Sequence, residues 1–413
     1  MGSRASPGGS TENWYNKMDS REYIVQGFKA SAVAAGIKKK GGLDLALIFS
    51  ERGAAAAGVF TMNKVKAAPV ILSQENIRRG RVKAVLANSG NANACTGREG
   101  LENARATADL VARELGTKSE EVLVASTGVI GAPLDVDLFT RAMPGLVKNL
   151  SPDGIPLVVQ AIMTTDSFPK ISLFDGVVGG RPFRILGIAK GAGMIMPQMA
   201  TMLSFILSDI DIDPSQLGEA VSSSVASSFN RISVDGDTST NDMVLVLANG
   251  LAGNGALGQD DYKEFKEGLS RVMGELATMI VQDGEGATKV VHIYIKGAAS
   301  SSDAITGARA VANSSLVKTA FYGQDPNWGR IMAALGRSGI SMREEEVSIW
   351  VDEVKIVEKG MGRGEKYEKE AAAKMLNKAF AVTVELRQGK YDDRMITCDL
   401  THEYVSINAN YRT

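Results

Sequence analysis

Short apolar stretches recur along the chain, and their spacing predicts which segments form strands and helices. Strand-like runs of apolar residues lie at 81–87, 202–208, 243–249, 290–296, 347–352 and 381–387. Between them, apolar residues repeat at helical spacing over 101–115, followed by Gly116, and over 265–280, ending near Gly284. Because strands and helices intermix along the whole length, the pattern predicts an α/β protein with helices packed over sheets.

The length and composition allow a large core and exclude several classes of protein. The 413 residues are 44% apolar, which is enough for one large α/β body or for two or three domains. Lys and Arg number 46 against 47 Asp and Glu, and this balance excludes a strongly basic nucleic-acid-binding or polybasic membrane protein. No apolar run reaches the roughly 18 residues of a membrane span. The sequence therefore predicts neither a nucleic acid nor a membrane as partner.

Cysteine use and the first residues of the chain bear on the compartment. Cys95 and Cys398 are the only two cysteines, so no disulfide framework is expected and a reducing compartment fits. Residues 1–22 are small and polar, and they contain acidic residues but no apolar stretch, unlike a transit peptide or a secretory signal. We interpret them as a disordered tail or a cloning remnant. We expect a cytoplasmic protein, with an organelle matrix or stroma as the alternative.

Glycine-rich polar loops follow several of the apolar runs, and they are the candidate positions for a site. They lie at 86–97, 126–133, 190–201, 234–242, 283–289 and 323–330. Such loops on a rigid scaffold often carry function, although each one taken alone is better explained as a turn. None has the complete pattern of a phosphate-binding loop or of a calcium loop. No spacing of Cys and His predicts a zinc site, so we expect no metal.

Histidine, the usual general base, is scarce in this sequence. His292 falls within an apolar strand pattern and is expected to be a core imidazole, and His402 is expected on a strand or its edge. Cys95 has no evident histidine partner and is expected to be a small buried thiol. A Ser-His-Asp hydrolase would therefore lack a good base. An enzyme without that histidine can use the α-amine of its own chain, freed by cleavage before Ser, Thr or Cys.

The segment 190–206 offers such a cleavage point. Ala200 has a small side chain that leaves its carbonyl unhindered, and Thr201 stands at the start of the strand-like run that continues from Met202. A hydroxyl residue at this place could attack the preceding carbonyl and then present a free α-amine. The pattern alone leaves an ordinary loop-to-strand junction as the alternative.

The same segment, KGAGMIMPQMATMLSFILSD, resembles the self-cleavage segment of the ornithine acetyltransferase family, the glutamate N-acetyltransferases of arginine biosynthesis. Further motifs resemble those of the family in the family's order: LANSGNANACTG, ASTGVIG, MTTDSFPK, SFNRISVDGDTSTND, DGEGATK, GQDPNWGRI and YVSINANYRT. The resemblance covers the chain from about Gly27 to Thr413. Ser167, where the family is expected to carry Thr, and Met196 and Gln198 are conservative departures. The resemblance implies a layered α-β-β-α sandwich with a smaller C-terminal portion.

Self-activation is the first property that the resemblance implies. Thr201 would be the nucleophile that attacks the Ala200 carbonyl, and hydrolysis of the resulting ester would cut the chain between the two residues. The products would be an N-terminal (alpha) chain, 23–200 without the tail, and a C-terminal (beta) chain, 201–413. The new α-amine of Thr201 would then serve as its own base.

The resemblance also assigns the residues that meet the reacting atoms and the substrates. The Thr127 hydroxyl and the Gly128 N–H would stabilise the oxyanion of the tetrahedral intermediate. Contacts with the substrates are implied for Thr164, Lys190, Thr201, Glu285, Asn408 and Thr413. The two substrates end their side chains in opposite charges, so a site with one cation and one carboxylate suits both. Which end of the substrate Lys190 and Glu285 each contact stays open.

The implied reaction moves an acetyl group from N2-acetylornithine to L-glutamate through an acetyl-Thr201 ester. It requires no cofactor, because the acetyl group is carried by Thr201 itself, although some family members also accept acetyl-CoA. Two pairs of cut chains would assemble into an α2β2 complex. The alternative is a self-cleaving amidase or aminopeptidase of related fold, in which water accepts the acyl group. A third reading is an uncleaved metabolite-binding protein.

Replacing Thr201 by Ala removes the hydroxyl that both implied steps require. We expect Thr201→Ala to leave the chain uncut and to abolish turnover, because neither a nucleophile nor a free α-amine would form at this position. Intact mass under denaturing conditions and an acetyl-transfer assay measure the two effects. Cleavage that persisted in this variant would contradict the assignment of the nucleophile.

Overall fold

The computed structural model describes residues 19–196 and 202–410 of the chain. Residues named above that lie outside these ranges are 1–18 of the predicted tail, Gln198, the predicted cleavage pair Ala200 and Thr201, and Thr413. The last residues of the predicted tail have a defined conformation, because Ser20–Tyr23 forms a 3-10 helix.

Strands and helices alternate along the described chain, as the apolar pattern predicts. In chain order the strands are β1 (Phe28–Val33), β2 (Leu45–Phe60), β3 (Arg81–Asn91), β4 (Val122–Val129), β5 (Lys170–Val178), β6 (Arg181–Lys190), β7 (Leu203–Ser208), β8 (Ile232–Ser233), β9 (Met243–Ala248), β10 (Val290–Ala298), β11 (Ser348–Val351), β12 (Val354–Glu358), β13 (Met361–Gly362), β14 (Ala379–Glu385) and β15 (Tyr391–Cys398). The helices are α1 (Ala68–Ile77), α2 (Gly97–Leu115), α3 (Val136–Lys148), α4 (Ile155–Ile162), α5 (Pro214–Ser227), α6 (Gln259–Gln282), α7 (Ser301–Ala312), α8 (Ser315–Tyr322), α9 (Trp328–Gly336), α10 (Glu365–Lys374) and α11 (His402–Asn410).

The first sheet folds over on itself at strand β2. Its order is β4-β3-β2-β9-β7-β6-β5, with β1 paired to β2. The pairing of β2 with β3 shifts register between Phe49 and Ala54, and beyond this point Ala55–Phe60 pairs with β9 instead. A register shift of this kind bends a strand and increases its twist. Strand β2 therefore passes from one half of the sheet to the other.

The two halves of this sheet pack against each other and form an inner core. The cluster draws on both halves: Ala46, Ile48, Val85, Ala87, Leu123 and Ala125 from one, and Leu203, Phe205, Leu207, Leu245 and Leu247 from the other. Successive side chains of a strand point to opposite faces. Accordingly Leu45 and Leu47 face outward, where they pack with helices α1, α2 and α3. On the other outer face, Val244 and Val246 pack with helices α5 and α6.

Helices outside and two sheet layers inside give the α-β-β-α sandwich that the resemblance implied. A second sheet forms the smaller C-terminal portion, with the order β13-β12-β11-β14-β10-β15-β8. One of its faces packs with α7, α8, α9 and α10. Three of its buried residues, Val290, Ile396 and Cys398, pack in the same cluster as helix α6, so this helix connects the two sheets.

Most of the predicted elements are present, and two local predictions are wrong. Helix α2 ends before Gly116, which has the left-handed φ of 63° that a glycine cap adopts easily. His402 was expected on a strand but is the first residue of helix α11, in which no residue is buried. Cys95 was expected to be buried but is exposed in the loop before α2, with φ of 57°. No helix in the described ranges is both long and apolar enough to cross a bilayer.

Candidate active site

One cleft brings together every predicted site residue that the structure describes. Its walls include Thr127, Gly128, Thr164, Lys190, Glu285 and Asn408. They come from strands β4 and β6, from the loops before β5 and after α6, and from helix α11. The cleft has a volume of about 130 Å³, well above the roughly 15 Å³ that a single water requires, so it can hold a small molecule.

Lys190 is the cation of this cleft and lies at the end of strand β6. Its Nζ donates hydrogen bonds to Thr164 Oγ1 at 2.9 Å and to Thr127 Oγ1 at 3.2 Å. Burial lowers the pKa of Lys190, although the nearby Asp166 carboxylate raises it. Because the Thr127 oxygen accepts from Lys190, the Thr127 hydroxyl can direct its own hydrogen into the cleft. This arrangement suits a donor to a developing oxyanion.

Gly128 stands beside Thr127 where strands β3 and β4 come very close together. Its φ of 131° lies in the region that residues with a side chain rarely adopt. A Cβ atom at this position would lie 2.4 Å from the carbonyl carbon of Gly90 and 2.6 Å from the nitrogen of Asn91. The close approach of the two backbones therefore requires glycine here.

Beneath the cleft, Asp166 joins two of the segments that carry site residues. Its carboxylate accepts hydrogen bonds from Thr164 N–H at 2.9 Å and from Gly191 N–H at 2.7 Å. Its third partner is the ammonium of Lys170, at 2.7 Å. Burial alone would raise the pKa of Asp166, but the charges of Lys170 and Lys190 outweigh it and hold that pKa well below its usual range.

Lys170 links this carboxylate to a second one at the end of helix α6. The Lys170 side chain is fully buried, and its Nζ also lies 2.5 Å from Asp283 Oδ2. Asp283 accepts in turn from the backbone N–H and the hydroxyl of Ser167. The family is expected to carry Thr at 167, and this position uses only the hydroxyl that both residues share. The buried ion network therefore fixes the loop before β5 against the helix that leads to Glu285.

Glu285 and Asn408 also line the cleft and contact each other. Asn408 Nδ2 donates to Glu285 Oε2 at 2.8 Å, and Glu285 N–H donates to Ala192 O at 2.9 Å. A Cβ on Gly193 would lie 2.5 Å from the Glu285 carboxylate, so a glycine at 193 leaves room for it. Helix α11 thus brings the C-terminal part of the chain to the cleft, as far as Asn410.

Two further residues of the cleft, Asp235 and Tyr404, were not among the predicted site residues. Asp235 accepts from Met194 N–H at 2.6 Å and from Ile195 N–H at 2.8 Å. Tyr404 Oη donates to Asp235 Oδ2 at 3.4 Å, and burial raises the pKa of both groups. Tyr404 and Asn408 lie four residues apart and so share one face of α11. This spacing points to Tyr404 only if the segment is predicted to be a helix, and the sequence analysis predicted a strand.

The cleft contains charges of both signs. Lys190 contacts the two threonine hydroxyls, and Glu285, Asp235 and Asp237 also line the cleft. Such a site can hold a small molecule that carries both a carboxylate and an ammonium group. The described residues contain no group of three His, Cys, Asp or Glu side chains placed to hold a metal ion.

Substituting Lys170 by Met should destabilise the protein strongly. The variant would leave Asp166 and Asp283 as buried carboxylates without a cation, which costs about 3–5 kcal/mol in comparable cases. Urea unfolding of the uncut Thr201→Ala background measures the free energy of unfolding without interference from cleavage. The matched control is Lys263→Met, because the Lys263 side chain is 74% exposed and its loss should change stability by less than about 0.5 kcal/mol. Equal effects of the two changes would contradict the role given to Lys170.

Comparison with known proteins identifies the family. The chain matches the ArgJ family over residues 29–413. It is 50% identical over 391 residues to the arginine biosynthesis bifunctional protein ArgJ of Geobacter sulfurreducens, a match that covers 94% of this chain and 100% of that protein. The protein of the same name from Desulfotalea psychrophila is 47% identical with the same coverage. The crystal structure of the ArgJ protein of Bacillus halodurans is 42% identical and has a TM-score of 0.49, with 51% of this chain and 100% of that chain covered. The family match and the identity along nearly the whole length show that this chain belongs to the ArgJ family, which confirms the resemblance drawn from its motifs.

Proposed function

We propose that this chain is a glutamate N-acetyltransferase of arginine biosynthesis, which transfers the acetyl group of N2-acetylornithine to L-glutamate through an acetyl-Thr201 ester. The observation that carries the proposal is the convergence of all described candidate residues on one cleft with a cation and a carboxylate. The relatives, named for a bifunctional role in arginine biosynthesis, support the same pathway. Family membership makes the chain an acyltransferase.

Self-cleavage between Ala200 and Thr201 is the proposed activating step. The Thr201 hydroxyl attacks the Ala200 carbonyl carbon, the peptide C–N bond breaks, and an ester links the two residues. This bond cleavage frees the Thr201 α-amine. Water then hydrolyses the ester, which frees the Ala200 carboxylate and restores the Thr201 hydroxyl. The flanks of the junction support the step, because both Ile195 and Met202 are buried and Asp235 holds the backbone at Ile195. The reacting pair thus lies between two anchored positions only seven residues apart.

The cut fragments would remain associated, because the junction connects two adjacent strands of the first sheet. Strand β6 pairs with β7 in antiparallel register from Ile185 opposite Ser208 to Lys190 opposite Leu203. Strand β2 likewise pairs with β9. Separating residues 1–200 from 201–413 would break both ladders and divide the inner core. Assembly of two such pairs into an α2β2 complex remains a prediction from the family resemblance. Residence in the cytoplasm is proposed because the two cysteines of the sequence fit a reducing compartment.

In the proposed turnover, Thr201 carries the acetyl group between two amines. Its oxygen attacks the acetyl carbonyl of N2-acetylornithine, and its α-amine takes the hydroxyl proton and passes it to the departing nitrogen of ornithine. The amine of glutamate then attacks the acetyl ester, N-acetylglutamate leaves, and the Thr201 hydroxyl is restored. The Thr127 hydroxyl and Gly128 N–H stabilise the oxyanion of each tetrahedral intermediate. These steps are complete without a cofactor, and acetyl-CoA would be an alternative acetyl donor.

The charges of the cleft suggest how both amino acids bind. Each substrate carries an α-carboxylate, and Lys190 with Thr164 offers it a cation and a hydroxyl. The δ-ammonium of N2-acetylornithine would face Glu285, which Asn408 holds in place. Thr413 is proposed as a further substrate contact from the resemblance, since helix α11 approaches the cleft as far as Asn408.

Incubation with N2-acetylornithine and no acceptor should trap the acetyl-enzyme. Intact mass under denaturing conditions should give two fragments that split between Ala200 and Thr201, with an acetyl increment on the second fragment alone. Addition of glutamate should remove the increment and yield N-acetylglutamate. One unsplit, unmodified chain would overturn the proposal. Release of acetate in place of N-acetylglutamate when glutamate is present would favour the amidase alternative.

Glu285→Gln should weaken the binding of N2-acetylornithine more than that of glutamate. The change removes the negative charge but keeps the size of the side chain, and loss of a hydrogen bond to a charged group corresponds to about a 10- to 100-fold effect. We expect KM for N2-acetylornithine to rise by at least about 10-fold, measured by steady-state kinetics with both substrates varied. Glu267→Gln is the matched control, since Glu267 is 65% exposed on α6. An equal rise of KM for glutamate would refute the charge assignment.

A further inference from the structure

Asp242 is a buried carboxyl group to which the reaction described above assigns no role. It precedes strand β9, is 2% exposed, and its Oδ2 has no hydrogen-bond partner within the described part of the chain. Burial raises the pKa of Asp242 well above its usual range, although the Ser239 hydroxyl, the Met202 N–H and the charge of Lys190 lower it. A buried oxygen without a partner is costly, so a hydrogen-bond donor that appeared beside it would be bound favourably.

The pairing of strands places this carboxyl next to Met202, the residue that follows the proposed cleavage junction in the sequence. Strands β7 and β9 are parallel, with Leu203 opposite Met243, so Asp242 lies beside Met202 at the same end of the sheet. Met243 N–H donates to Met202 O at 3.0 Å, and the Met202 N–H lowers the pKa of Asp242 by hydrogen bonding. Met202 follows Thr201 directly in the sequence. One residue spans at most about 3.6 Å, which limits the distance between the Thr201 nitrogen and the Met202 nitrogen.

We propose that Asp242 is a positioning residue that binds the α-ammonium group created at Thr201. This proposal rests on the proposed self-cleavage. Before cleavage, the Thr201 nitrogen is a neutral amide with a single hydrogen. After cleavage it gains further N–H donors and a proton affinity, and the buried carboxyl acquires a cation to pair with. The pair would orient the amine toward the Thr201 hydroxyl, whose proton it must accept in turnover.

Asp242 would also adjust the basicity of the amine against the other charges around it. Lys190 is a charge that acts on Asp242, and Lys190 in turn is influenced by the charges of Asp166, Lys170, Asp242 and Glu285. A carboxylate near an amine favours the protonated form and raises the pKa of the amine, and a charge at about 4–6 Å typically shifts a pKa by 1–3 units. The positive charge of Lys190 disfavours the protonated amine and so lowers the pKa of the amine. Removing the Asp242 charge should therefore lower the pKa of the Thr201 amine.

The test is the pH profile of kcat/KM for N2-acetylornithine in Asp242→Asn. Because the amine must be deprotonated to act as base, the acid limb of the profile follows its pKa. We expect this limb to move to lower pH by about one unit, with a loss of kcat/KM at the optimum. Asp209→Asn is the matched control, since Asp209 follows the opposite end of β7, is 8% exposed, and burial raises its pKa too. It should leave the limb unchanged.

A spectroscopic comparison decides the matter if Asp242→Asn fails to fold or to cut. In uncut Thr201→Ala protein the carboxyl of Asp242 should be protonated near neutral pH, and in the cut wild type it should be ionised. Isotope-edited infrared spectra of Asp-labelled protein should show a protonated carboxyl band that is lost on cleavage. A band that persists after cleavage, or an unmoved acid limb in a cut and acetylated Asp242→Asn enzyme, would overturn this inference alone. A wild-type chain that never cuts would overturn the proposed function together with it.

Discussion

The pairing of the neighbouring strands β6, β7 and β9 in the first sheet is the constraint on which the site depends. Lys190 ends β6 opposite Leu203, and Leu203 stands opposite Met243 on β9. The register therefore places Lys190, the cation of the cleft, in one row of the sheet with Leu203, which begins β7, and with Met243, which follows Asp242. A shift by one residue would turn every side chain of a strand to the other face. The inner core, which fills one face of these strands, keeps the register in place.

The buried ion network also fixes the positions of segments outside these three strands. Asp166 binds the backbone on both sides of the cleft, at Thr164 and Gly191, and Lys170 passes the connection to Asp283 at the end of α6. A network of full charges inside a core is stable only when every member has its partner. The loop before β5 and the turn after α6 therefore hold their positions together. The same ion network therefore positions Thr164, through Asp166, and the turn that carries Glu285, through Asp283.

Much of the fold and of the site was within reach of the sequence, for identifiable reasons. Strands β7 and β9 are buried on both faces, and an uninterrupted apolar run such as Met243–Ala248 gives the strongest signal. The site residues came from motifs, not from periodicity, and the structure gathers those it describes into one cleft. Helix α11 was misread because it has no buried face, so its apolar residues follow no helical stripe. The contact of Lys190 with Thr127 joins residues 63 positions apart, and no local pattern records it.

Because the proposed cut lies between two neighbouring strands, its position determines whether folding or cleavage comes first. An intact chain closes the β6–β7 pair as a single molecule, at a cost in entropy that does not depend on concentration. Two separate fragments would have to find each other, and their association would depend on concentration. Folding must therefore come first and the cut second, and a cut chain that unfolds loses the covalent connection that guided it. Cleavage at this place would be irreversible, and it would activate only chains in which the sheet had already formed.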